Sequence, residues 1–498
     1  MSRINSIPKQ IEEVAKTIKN GGFEAYLVGG CVRDLLLNRK PRDWDITTNA
    51  LPEQIIALFE KTHYENSFGT VTIVLEGDED SSLREIQVTP YRTEGSYSDK
   101  RHPDTVSFST SIKGDLSRRD FTINAIAFDP FSRETIDPFG GGKDIEKKLI
   151  RAVGVAEERV VEDALRMLRA IRLSVELDFS IENETAEAIG RLSKSIESIS
   201  AERIRDEFTK IIESPNPMVG IILSHKLGIL GIIIPELEEG VGVEQNGDHI
   251  YEVFEHMLRA LQHAADRGWP LSIRLAALFH DIGKPRTRRW SDEKKDWTFY
   301  GHEVVGVKMT KKILERLRFT RNIIDDVTTL VRYHMFFSDT EKISLSAVRR
   351  TVRNVGRERI WDLMNVRSCD RIGMNRPKET PYRLRKYHSM IEEALRAPTS
   401  VQMLKIDGLR LMEVTRETPS PRIGYMLHAL LEEALEDPSL NTEEYLEKRV
   451  LELSQLSDAE LKKRGESGKE KKEEVEGGEL AKIRAKYRIQ PFDKPQGK

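Results

Sequence analysis

The chain has 498 residues, of which 38% are hydrophobic, so it is too long for one core and should form three or four structural units. Only Cys31 and Cys369 are present, which excludes a disulfide framework and favours a reducing compartment. Residues 1–19 lack the apolar stretch of a signal peptide, and no run approaches a membrane span. We therefore expect a soluble, cytoplasmic protein with no membrane partner. Its net charge of −3 means that a nucleic-acid partner would need local basic surface.

Residues 26–45 contain the pattern of a metal-dependent nucleotidyl-transfer site. Tyr26–Val28 is predicted as a buried strand that ends at Gly29-Gly30, where the absent Cβ atoms let backbone N–H groups approach a triphosphate. Arg33 adds a charged fork for the same group. Asp43 and Asp45 alternate in an extended segment, so both point to one side and can bind Mg²⁺. Attack of a hydroxyl on an α-phosphate uses two metals about 4 Å apart, which such carboxylates bridge.

The rest of the first 145 residues predicts a small mixed sheet with flanking helices. The alternating runs Thr70–Leu75 and Leu83–Val88 are typical of strands, and helices are expected at Ile7–Asn20 and Pro52–Phe59. The polar segment between Glu94 and Pro103 is expected to be a mobile surface loop.

Two further residues of this region are candidates for the site. Glu85, at the start of a predicted strand, is assigned the third acidic position, where it would help to hold the metal beside the nucleophile and accept the hydroxyl proton. Arg119 opens the apolar segment 121–127 and is predicted to clamp the triphosphate, so Gly30, Arg33 and Arg119 form the expected triphosphate site.

Residues 20–215 resemble the class II tRNA nucleotidyltransferase and poly(A) polymerase family, within the polymerase-β-like nucleotidyltransferases. The resemblance rests on five motifs in the family's order: Gly29-Gly30-x-x-Arg33-Asp34, Asp43-x-Asp45, Arg118-Arg119-Asp120-Phe121-x-x-Asn124-Ala125, Glu162-Asp163-x-x-Arg166 and Glu202-Arg203-x-Arg205-x-Glu207. It implies an α+β fold, with a mixed-sheet head followed by an all-α neck, body and tail. It also implies that Asp43 and Asp45 hold catalytic Mg²⁺.

The resemblance further implies that a neck helix selects the incoming nucleotide. The stretch Val160–Arg172 is predicted as one helix, on which Asp163, Arg166, Arg169 and Arg172 recur every three residues. An Asp acceptor beside an Arg donor complements the edges of cytosine and adenine. Asp163 with Arg166 would thus accept CTP and ATP, because UTP or GTP leaves buried polar groups unpaired at about 1 to 3 kcal/mol each. Arg169 and Arg172 are expected at phosphate or ribose.

The family contains enzymes that add CCA to tRNA, bacterial poly(A) polymerases, and enzymes that add only CC or only A. Tyr64–Val71 lacks the Gly-Arg-Arg-Phe-x-x-x-His-Val signature of the poly(A) polymerases, which favours tRNA as substrate. The loop around Tyr97–Pro103 disfavours a CC-only enzyme. Addition of A alone remains open.

A second set of residues resembles the HD phosphohydrolase superfamily over about residues 248–390. The adjacent pair His280-Asp281 ends an apolar helix, with His256 upstream and Asp370 downstream. Such N and O donors suit a divalent metal whose identity the sequence does not fix, and His302 with His334 would complete a second ion. The resemblance implies phosphatase or cyclic-phosphodiesterase chemistry, although HD folds also persist as inactive scaffolds.

The carboxy-terminal third is predicted to be helical and then flexible. Residues 386–455 are typical of amphipathic helices in a tail that supports tRNA, whereas the charged, glycine-containing run after Ser457 is expected to be flexible. Residues 348–388 contain 12 Arg and Lys but only four Asp and Glu, which suggests an RNA-binding surface. The predicted domains are a transferase head (1–148), a neck (149–215), a helical body (216–390), a tail (391–455) and a charged terminus (456–498).

Together these patterns predict an enzyme that adds CCA to tRNA from CTP and ATP. Within enzymes, the alternatives are A-only addition and polyadenylation. From another class, the alternative is an inactive RNA-binding head joined to an active HD phosphohydrolase.

Overall fold

The computed structural model describes residues 4, 7–65, 69–75, 80–94, 106–247, 250–336, 343–376, 378–396 and 401–489. The chain forms two compact units, of which one comprises Met1–His334 with Asn365–Pro377 and the other Met335–Met364 with Lys378–Lys498. The finer division into head, neck, body and tail stays a prediction. Among the described residues, no helix has the length and apolar character needed to cross a membrane. The loop expected between Glu94 and Pro103 falls mostly outside the described residues.

A seven-stranded mixed sheet organises the amino-terminal part of the first unit, as predicted. Its order is β3-β4-β5-β2-β1-β8-β9, and only the central β2–β5 pair is parallel. The chain's strands are β1 (Tyr26–Val28), β2 (Trp44–Thr48), β3 (Thr62–Glu65), β4 (Thr70–Val74), β5 (Glu85–Pro90), β6 (Arg92–Glu94), β7 (Val106–Phe108), β8 (Ala127–Phe128), β9 (Thr135–Ile136), β10 (Leu149–Ile150), β11 (Ser180–Ile181), β12 (Arg289–Ser291) and β13 (Asp296–Thr298). Outside this sheet, β6 pairs with β7, β10 with β11 and β12 with β13, each pair forming a two-stranded ribbon.

Alternation of apolar and polar side chains explains which face of the central strands is buried. Trp44 and Ile46 of β2, and Ile86 and Val88 of β5, are buried in the core. Asp45 lies between the two buried residues of β2 and so projects from the opposite face. The sheet therefore holds Asp45 on a rigid strand whose inner face is fixed by packing, and Asp43 lies directly before that strand.

Helices surround the sheet and continue through the first unit. They are α1 (Lys9–Asn20), α2 (Gly30–Leu36), α3 (Pro52–Leu58), α4 (Ile112–Ser117), α5 (Gly141–Glu146), α6 (Ala156–Glu162), α7 (Arg166–Leu177), α8 (Asn183–Leu192), α9 (Ala201–Glu213), α10 (Pro217–Lys226), α11 (Leu230–Ile233), α12 (Pro235–Glu238), α13 (Val253–Asp266), α14 (Leu271–Phe279), α15 (Lys284–Thr287), α16 (His302–Arg316) and α17 (Arg321–Tyr333). Helices α1 and α3 confirm the two that the sequence predicts here, with ends shifted by one or two residues.

The single helix expected over 160–172 is wrong, because the chain breaks between α6 and α7. Asp163 is extended, with φ −143° and ψ 104°, and its carboxylate accepts the backbone N–H of Leu165 at 3.0 Å. A short acidic side chain that bonds to nearby backbone competes with helix continuation. The break gives Asp163 a direction that a continuous helix would not provide.

The second unit is helical throughout its described parts. It contains α18 (Leu345–Val355), the start of α19 (Ile360–Gly373), α20 (Tyr382–Leu395), α21 (Gly408–Thr415), α22 (Pro421–Glu436), α23 (Glu443–Ser454) and α24 (Asp458–Lys486). The flexible terminus expected after Ser457 is wrong for the residues in α24. Ser457 and Glu460 form a capping box that starts this helix.

Two glycines explain how so polar a helix packs. A Cβ on Gly465 would lie 2.7 Å from the Tyr425 backbone, and one on Gly468 would lie 2.2 Å from the carbonyl oxygen of His428. Helices α22 and α24 therefore approach closely only because these positions lack side chains. The rest of α24 contributes little apolar surface, which is why its composition alone suggested disorder.

Replacing Gly468 with Ala is expected to destabilise the second unit by about 2 kcal/mol or more, since the new methyl group meets backbone that cannot move freely. Gly478→Ala is the matched control, because a Cβ there meets nothing within 4 Å. That control should instead stabilise the helix by about 0.5 to 1 kcal/mol. Urea unfolding of both variants checks the pair, and equal effects would contradict the close approach.

Candidate functional sites

The glycine turn and the acidic pair meet where the end of β1 lies beside the start of β2, within the sheet. Gly29 has φ +81°, a conformation that favours glycine, and α2 begins at Gly30. A Cβ on Gly29 would lie 3.1 Å from Arg119 Nη1 and 3.4 Å from Asp45 Oδ2. A Cβ on Gly30 would lie 3.9 Å from Asp43 Oδ1. The turn thus lies next to both carboxylates and the arginine, and a side chain at Gly29 would be both strained and crowded.

The electrostatics of the acidic pair favour a bound cation. Burial and the negative charge of Asp43 raise the pKa of Asp45 to about 6, although Arg119 acts in the opposite direction. The charge of Arg119 therefore does not fully offset the burial of Asp45 and its repulsion with Asp43. The two carboxylates provide the hard oxygen ligands that Mg²⁺ prefers. The donor set therefore fits a divalent cation at Asp43 and Asp45.

A pocket of about 530 Å³ opens beside the pair, and cations outnumber acids in its lining. It is lined by Gly30, Arg33, Asp34, Arg39, Lys40, Arg42, Asp43, Asp45, Asn124, Arg169, Arg172, Glu176, Leu177 and Lys210. Arg33 is held there by Asp34 and by the side-chain oxygen of Asn124 at 2.9 Å. Such a pocket suits a polyanion such as a nucleoside triphosphate.

Several lining residues were missed by sequence reasoning. Arg39, Lys40 and Arg42 form a basic run directly before Asp43, a signal that was available in the sequence. Lys210 belongs to α9, far along the chain, and no local sequence pattern indicates that it lines this pocket.

Glu85 begins β5, is exposed and does not line this pocket. In the parallel ladder Trp44 pairs with Ile86 and Asp45 pairs with Gln87. Because side chains alternate along a strand, Glu85 lies on the same side of the sheet as Gln87 and therefore as Asp45. Its assignment as the third acidic position stays a prediction.

The two residues expected to read the base are held in separate ion pairs. Arg203 binds both carboxylate oxygens of Asp163, at 2.7 and 3.3 Å. Arg166 binds Glu162 at 2.6 Å and donates to the carbonyl of Arg118 at 3.0 Å. Arg203 lies in the recognised motif at 202–207 but was given no role. It orients the acceptor that the sequence singled out.

Arg169 and Arg172 line the pocket and are also tied to buried acids. Arg169 binds Asp120 at 2.5 and 2.8 Å, and Arg172 binds Glu207 at 2.7 Å. Burial alone would raise the pKa of Asp120, but the charge and hydrogen bonds of Arg169 hold it well below the usual range. The charge of Asp120 in turn raises the pKa of Arg169 above its ordinary value. Both arginines therefore have a structural role alongside any contact with nucleotide.

Replacing Arg169 with Met should destabilise the first unit by roughly 3 kcal/mol, because it leaves the buried Asp120 carboxylate without its partner. Arg191→Met is the matched control, since it breaks an exposed pair with Glu157 and should cost less than about 1 kcal/mol. Urea unfolding at neutral pH measures both. Because the pKa of Asp120 is lowered on folding, the difference should shrink as the pH falls below the ordinary Asp range.

The HD residues converge around Asp281, and all six are buried. His256 Nε2 and His280 Nε2 each lie 3.1 Å from Asp281 Oδ2. On the other side, Asp281 Oδ1 lies 3.2 Å from His302 Nε2 and 3.5 Å from His334 Nε2. Asp370 Oδ1 lies 3.4 Å from His256 Nε2 and completes the first group. Asp281 thus faces two donor groups at once, one with each of its oxygens.

Backbone contacts orient three of these imidazoles. The Nδ1 atoms of His280, His302 and His334 lie 2.7 to 2.8 Å from the carbonyls of Ala277, Phe299 and Val331. A carbonyl only accepts, so each Nδ1 carries a proton, and each Nε2 points inward as the atom that would bind a metal once it is deprotonated. The donor atoms in each group lie within 4.8 Å of one another. The arrangement fits one or two divalent cations whose identity the donors leave open.

Positive side chains surround the carboxylates of this centre. Lys284 Nζ lies 2.6 Å from Asp281 Oδ2, and Arg367 bonds to Asp370. Despite burial, the charges of His280 and Lys284 hold the pKa of Asp281 well below its usual range, and Arg367 does the same for Asp370. Both acids are therefore ionised, as metal ligands must be.

Three known sequence families match parts of the chain. The Poly A polymerase head domain matches residues 25–151, the "probable RNA and SrmB- binding site of polymerase A" matches 178–240, and the HD domain matches 253–372. The matches follow one another in the order of the two sites described above.

Curated relatives and a solved structure are also similar. The chain is 48% identical to the CCA-adding enzyme of Lactobacillus johnsonii over 43% of this chain and 53% of the relative. It is 39% identical to that of Geobacillus thermodenitrificans over 56% of this chain and 65% of the relative. The crystal structure of the Bacillus stearothermophilus CCA-adding enzyme in complex with CTP has a TM-score of 0.56 at 26% identity, covering 90% of this chain and 98% of that one. The chain thus spans about half to two thirds of the length of these curated relatives.

Proposed function

We propose that the chain is a member of the class II tRNA nucleotidyltransferase and poly(A) polymerase family and that it adds CCA to the 3′ end of tRNA from CTP and ATP. The observation that carries the proposal is the meeting of Gly29, Asp43, Asp45 and Arg119 beside a cationic pocket. The names of the relatives, all CCA-adding enzymes, support tRNA as the acceptor.

In the proposed reaction the 3′ oxygen of the tRNA bonds to the α-phosphorus and pyrophosphate leaves. Arg33 and Arg119 would bind the triphosphate, aided by backbone N–H groups of the turn at Gly30. Asp43 and Asp45 would hold Mg²⁺, which supplies positive charge to the reacting phosphate when bound. Arg39, Arg42 and Lys210 add positive charge on the pocket wall, where phosphates of the nucleotide or of the RNA end would lie.

Base choice is assigned to the junction of α6 and α7. Arg203 fixes the direction of the Asp163 carboxylate, and Glu162 does the same for the Arg166 guanidinium. An incoming cytosine or adenine would offer an amino donor to Asp163 and a ring-nitrogen acceptor to Arg166. Arg169 and Arg172 would meet ribose or phosphate while they remain paired to Asp120 and Glu207.

The test uses purified protein with three tRNA transcripts that end before CCA, after CC and after CCA. CTP and ATP are supplied separately and together with Mg²⁺, and product length is read on a gel. The proposal expects full repair of the shortest transcript and no extension beyond CCA. A single A added only to the CC-ending transcript would make the protein an A-adding enzyme, and long A tails would make it a poly(A) polymerase.

We propose phosphate-ester hydrolysis as a second function, at the HD centre. The bridging position of Asp281 between two histidine groups favours it, because a divalent ion bound there supplies a Lewis acid beside a phosphate. Release of phosphate from a small aryl phosphate, with Mn²⁺ or Ni²⁺ and without nucleotides, tests it. Phosphate release with no extension of any transcript would favour an RNA-binding head joined to an active hydrolase.

The expected location in the cytoplasm stays a prediction.

A further inference from the structure

A second cavity shares a wall with the pocket beside the acidic pair. It has a volume of about 340 Å³, and the name tryptophan cavity is used here for the space between Trp44, Pro41 and Ser82. Arg39 and Lys40 line both cavities. Successive side chains of a strand point to opposite faces, so Trp44 borders the tryptophan cavity while the next residue of β2 borders the pocket.

The indole N–H of Trp44 is a buried donor that lacks an acceptor. Trp44 is only 3% exposed, and its Nε1 atom has no hydrogen-bond partner among the residues that the structure describes. Buried polar groups are nearly always paired, and a buried tryptophan usually finds an acceptor for its N–H. An unpaired donor of this kind costs stability. Its presence in the wall of a cavity therefore points to an acceptor that belongs to a bound molecule.

The rest of the lining suits the ring of a nucleobase. Pro8, Leu35 and Pro41 provide apolar surface, while Asn38 and Ser82 add polar groups. Sites for small molecules combine apolar surface with a few polar groups that fix orientation, and their volumes begin at about 300 Å³. Nucleobases have ring-nitrogen and carbonyl acceptors, which the indole N–H can satisfy.

The wall shared by the two cavities is positively charged. The Arg39 guanidinium donates to the carbonyl of Glu176 at 3.2 Å and forms no ion pair with any described residue. Lys40 Nζ lies 2.7 Å from Asp80 Oδ2, but the Lys40 side chain is 73% exposed, so solvent weakens that pair. A phosphate at this wall would thus meet the charge of Arg39 without competition from a protein carboxylate.

Backbone hydrogen bonds fix the position of this wall. The N–H of Asn38 donates to the carbonyl of Leu35 at 3.1 Å. The N–H of Arg39 donates to the carbonyl of Asp34 at 2.8 Å, and the Asp34 carboxylate holds Arg33 in the pocket beside the acidic pair. A ligand in the tryptophan cavity would therefore bind next to the triphosphate site, against a wall that is already ordered.

We propose that the tryptophan cavity binds one nucleoside monophosphate unit, with its base at Trp44 and its phosphate at Arg39. The inference rests on the proposed function, because it takes the neighbouring pocket as the site of the incoming triphosphate. Two molecules carry this unit, namely an RNA near its 3′ end and a free nucleoside monophosphate. The RNA is the expected occupant, because its adjoining phosphates would lie along the same cationic wall.

The first arm of the test measures addition of CMP to a transcript that ends before CCA, in the full-length protein with Mg²⁺. Trp44→Phe keeps an aromatic ring but removes the N–H donor, and Ser82→Phe places a ring in the cavity. Both variants should raise the KM for RNA about 10-fold, the cost of one lost contact to a buried donor, with the KM for CTP and kcat within about 2-fold. A damaged fold would change all three quantities.

Trp361→Phe is the matched control for this arm. It makes the same substitution at a tryptophan of the second unit, outside the lining of both cavities, and should alter neither KM.

The second arm distinguishes RNA from the free nucleotide. CMP is added without metal, and the intrinsic tryptophan fluorescence is followed, because a base held against the indole of Trp44 changes its emission. A change that is absent from both variants, together with an unaltered KM for RNA, would assign the cavity to the free nucleotide. A raised KM for RNA with no response to CMP would assign it to the RNA.

A cavity that holds water only would leave the KM for RNA unaltered and give no response to CMP, and this result would overturn the proposal. Equal increases in the KM for RNA and for CTP would overturn it as well. If the unaltered protein extends no transcript, the proposed function fails and CMP alone decides. A fluorescence change that both variants lose would then uphold the nucleotide site, and no change would reject it.

Discussion

Replacing Asp45 with Asn is expected to lower nucleotide addition to tRNA by about 10³-fold or more. Asp45 projects from β2 next to Asp43, and the raised pKa that burial and Asp43 produce shows how much this position favours a positive partner. An amide cannot supply the charge that binds Mg²⁺, so the reaction loses several kcal/mol of stabilisation, and each 1.4 kcal/mol is worth a factor of ten. Single-turnover addition of CMP to a transcript that ends before CCA measures the loss.

The fold should survive this change, which separates chemistry from stability. Removing the charge of Asp45 relieves its repulsion with Asp43, so the variant should unfold at the same or a slightly higher urea concentration. Glu53→Gln is a suitable control, because Glu53 is an exposed acid in the first turn of α3 and lies outside the pocket lining. Normal addition by the Asp45→Asn protein would contradict the assignment of this pair to the metal. Any phosphate release by the Asp45→Asn protein at the HD centre should equal that of the unaltered protein.

Local patterns in the sequence were enough to name most of the residues that meet at the two centres. Gly29, Asp43 and Asp45 lie within 17 residues, and a buried strand followed by a glycine turn can be recognised from alternation alone. The histidines and aspartates that converge at the HD centre were likewise identified from residue type and order. These features depend on neighbours along the chain, which a sequence displays directly.

What the sequence did not predict depends on contacts between distant segments. Gln87 lies beside Asp45 because of a strand register that is set across the sheet. The helix over 160–172 breaks where the Asp163 carboxylate accepts the backbone N–H of Leu165 and where Arg203, 40 residues away, binds it. Helix α24 forms because Gly468 allows close contact with α22. The charged composition of α24 does not indicate this contact. In each case the deciding partner is remote in the chain.

The break at Asp163 leads to the second large effect, a loss of base selection in Asp163→Asn. The amide keeps an oxygen for the N–H of Leu165, so α7 should still begin normally. It also offers a donor that suits uracil or guanine, which the carboxylate leaves unpaired. Preference for CTP and ATP over UTP and GTP should therefore fall about 10- to 100-fold, the cost of one unpaired buried group. Competition between the four nucleotides on a CC-ending and a shorter transcript measures this ratio.

Arg203→Gln distinguishes base reading from the ion pair. It removes the contact between Arg203 and Asp163 but leaves the carboxylate in place. If Asp163 reads the base, Arg203→Gln should keep most of the selectivity and lose rate, because the acceptor is present but less firmly oriented. If both variants lose selectivity equally, the pair acts by holding the junction of α6 and α7 together, and the base is read elsewhere. Since Arg166 is anchored independently by Glu162, its proposed contact with the ring nitrogen would remain in either variant. The change in selectivity should therefore be partial rather than complete.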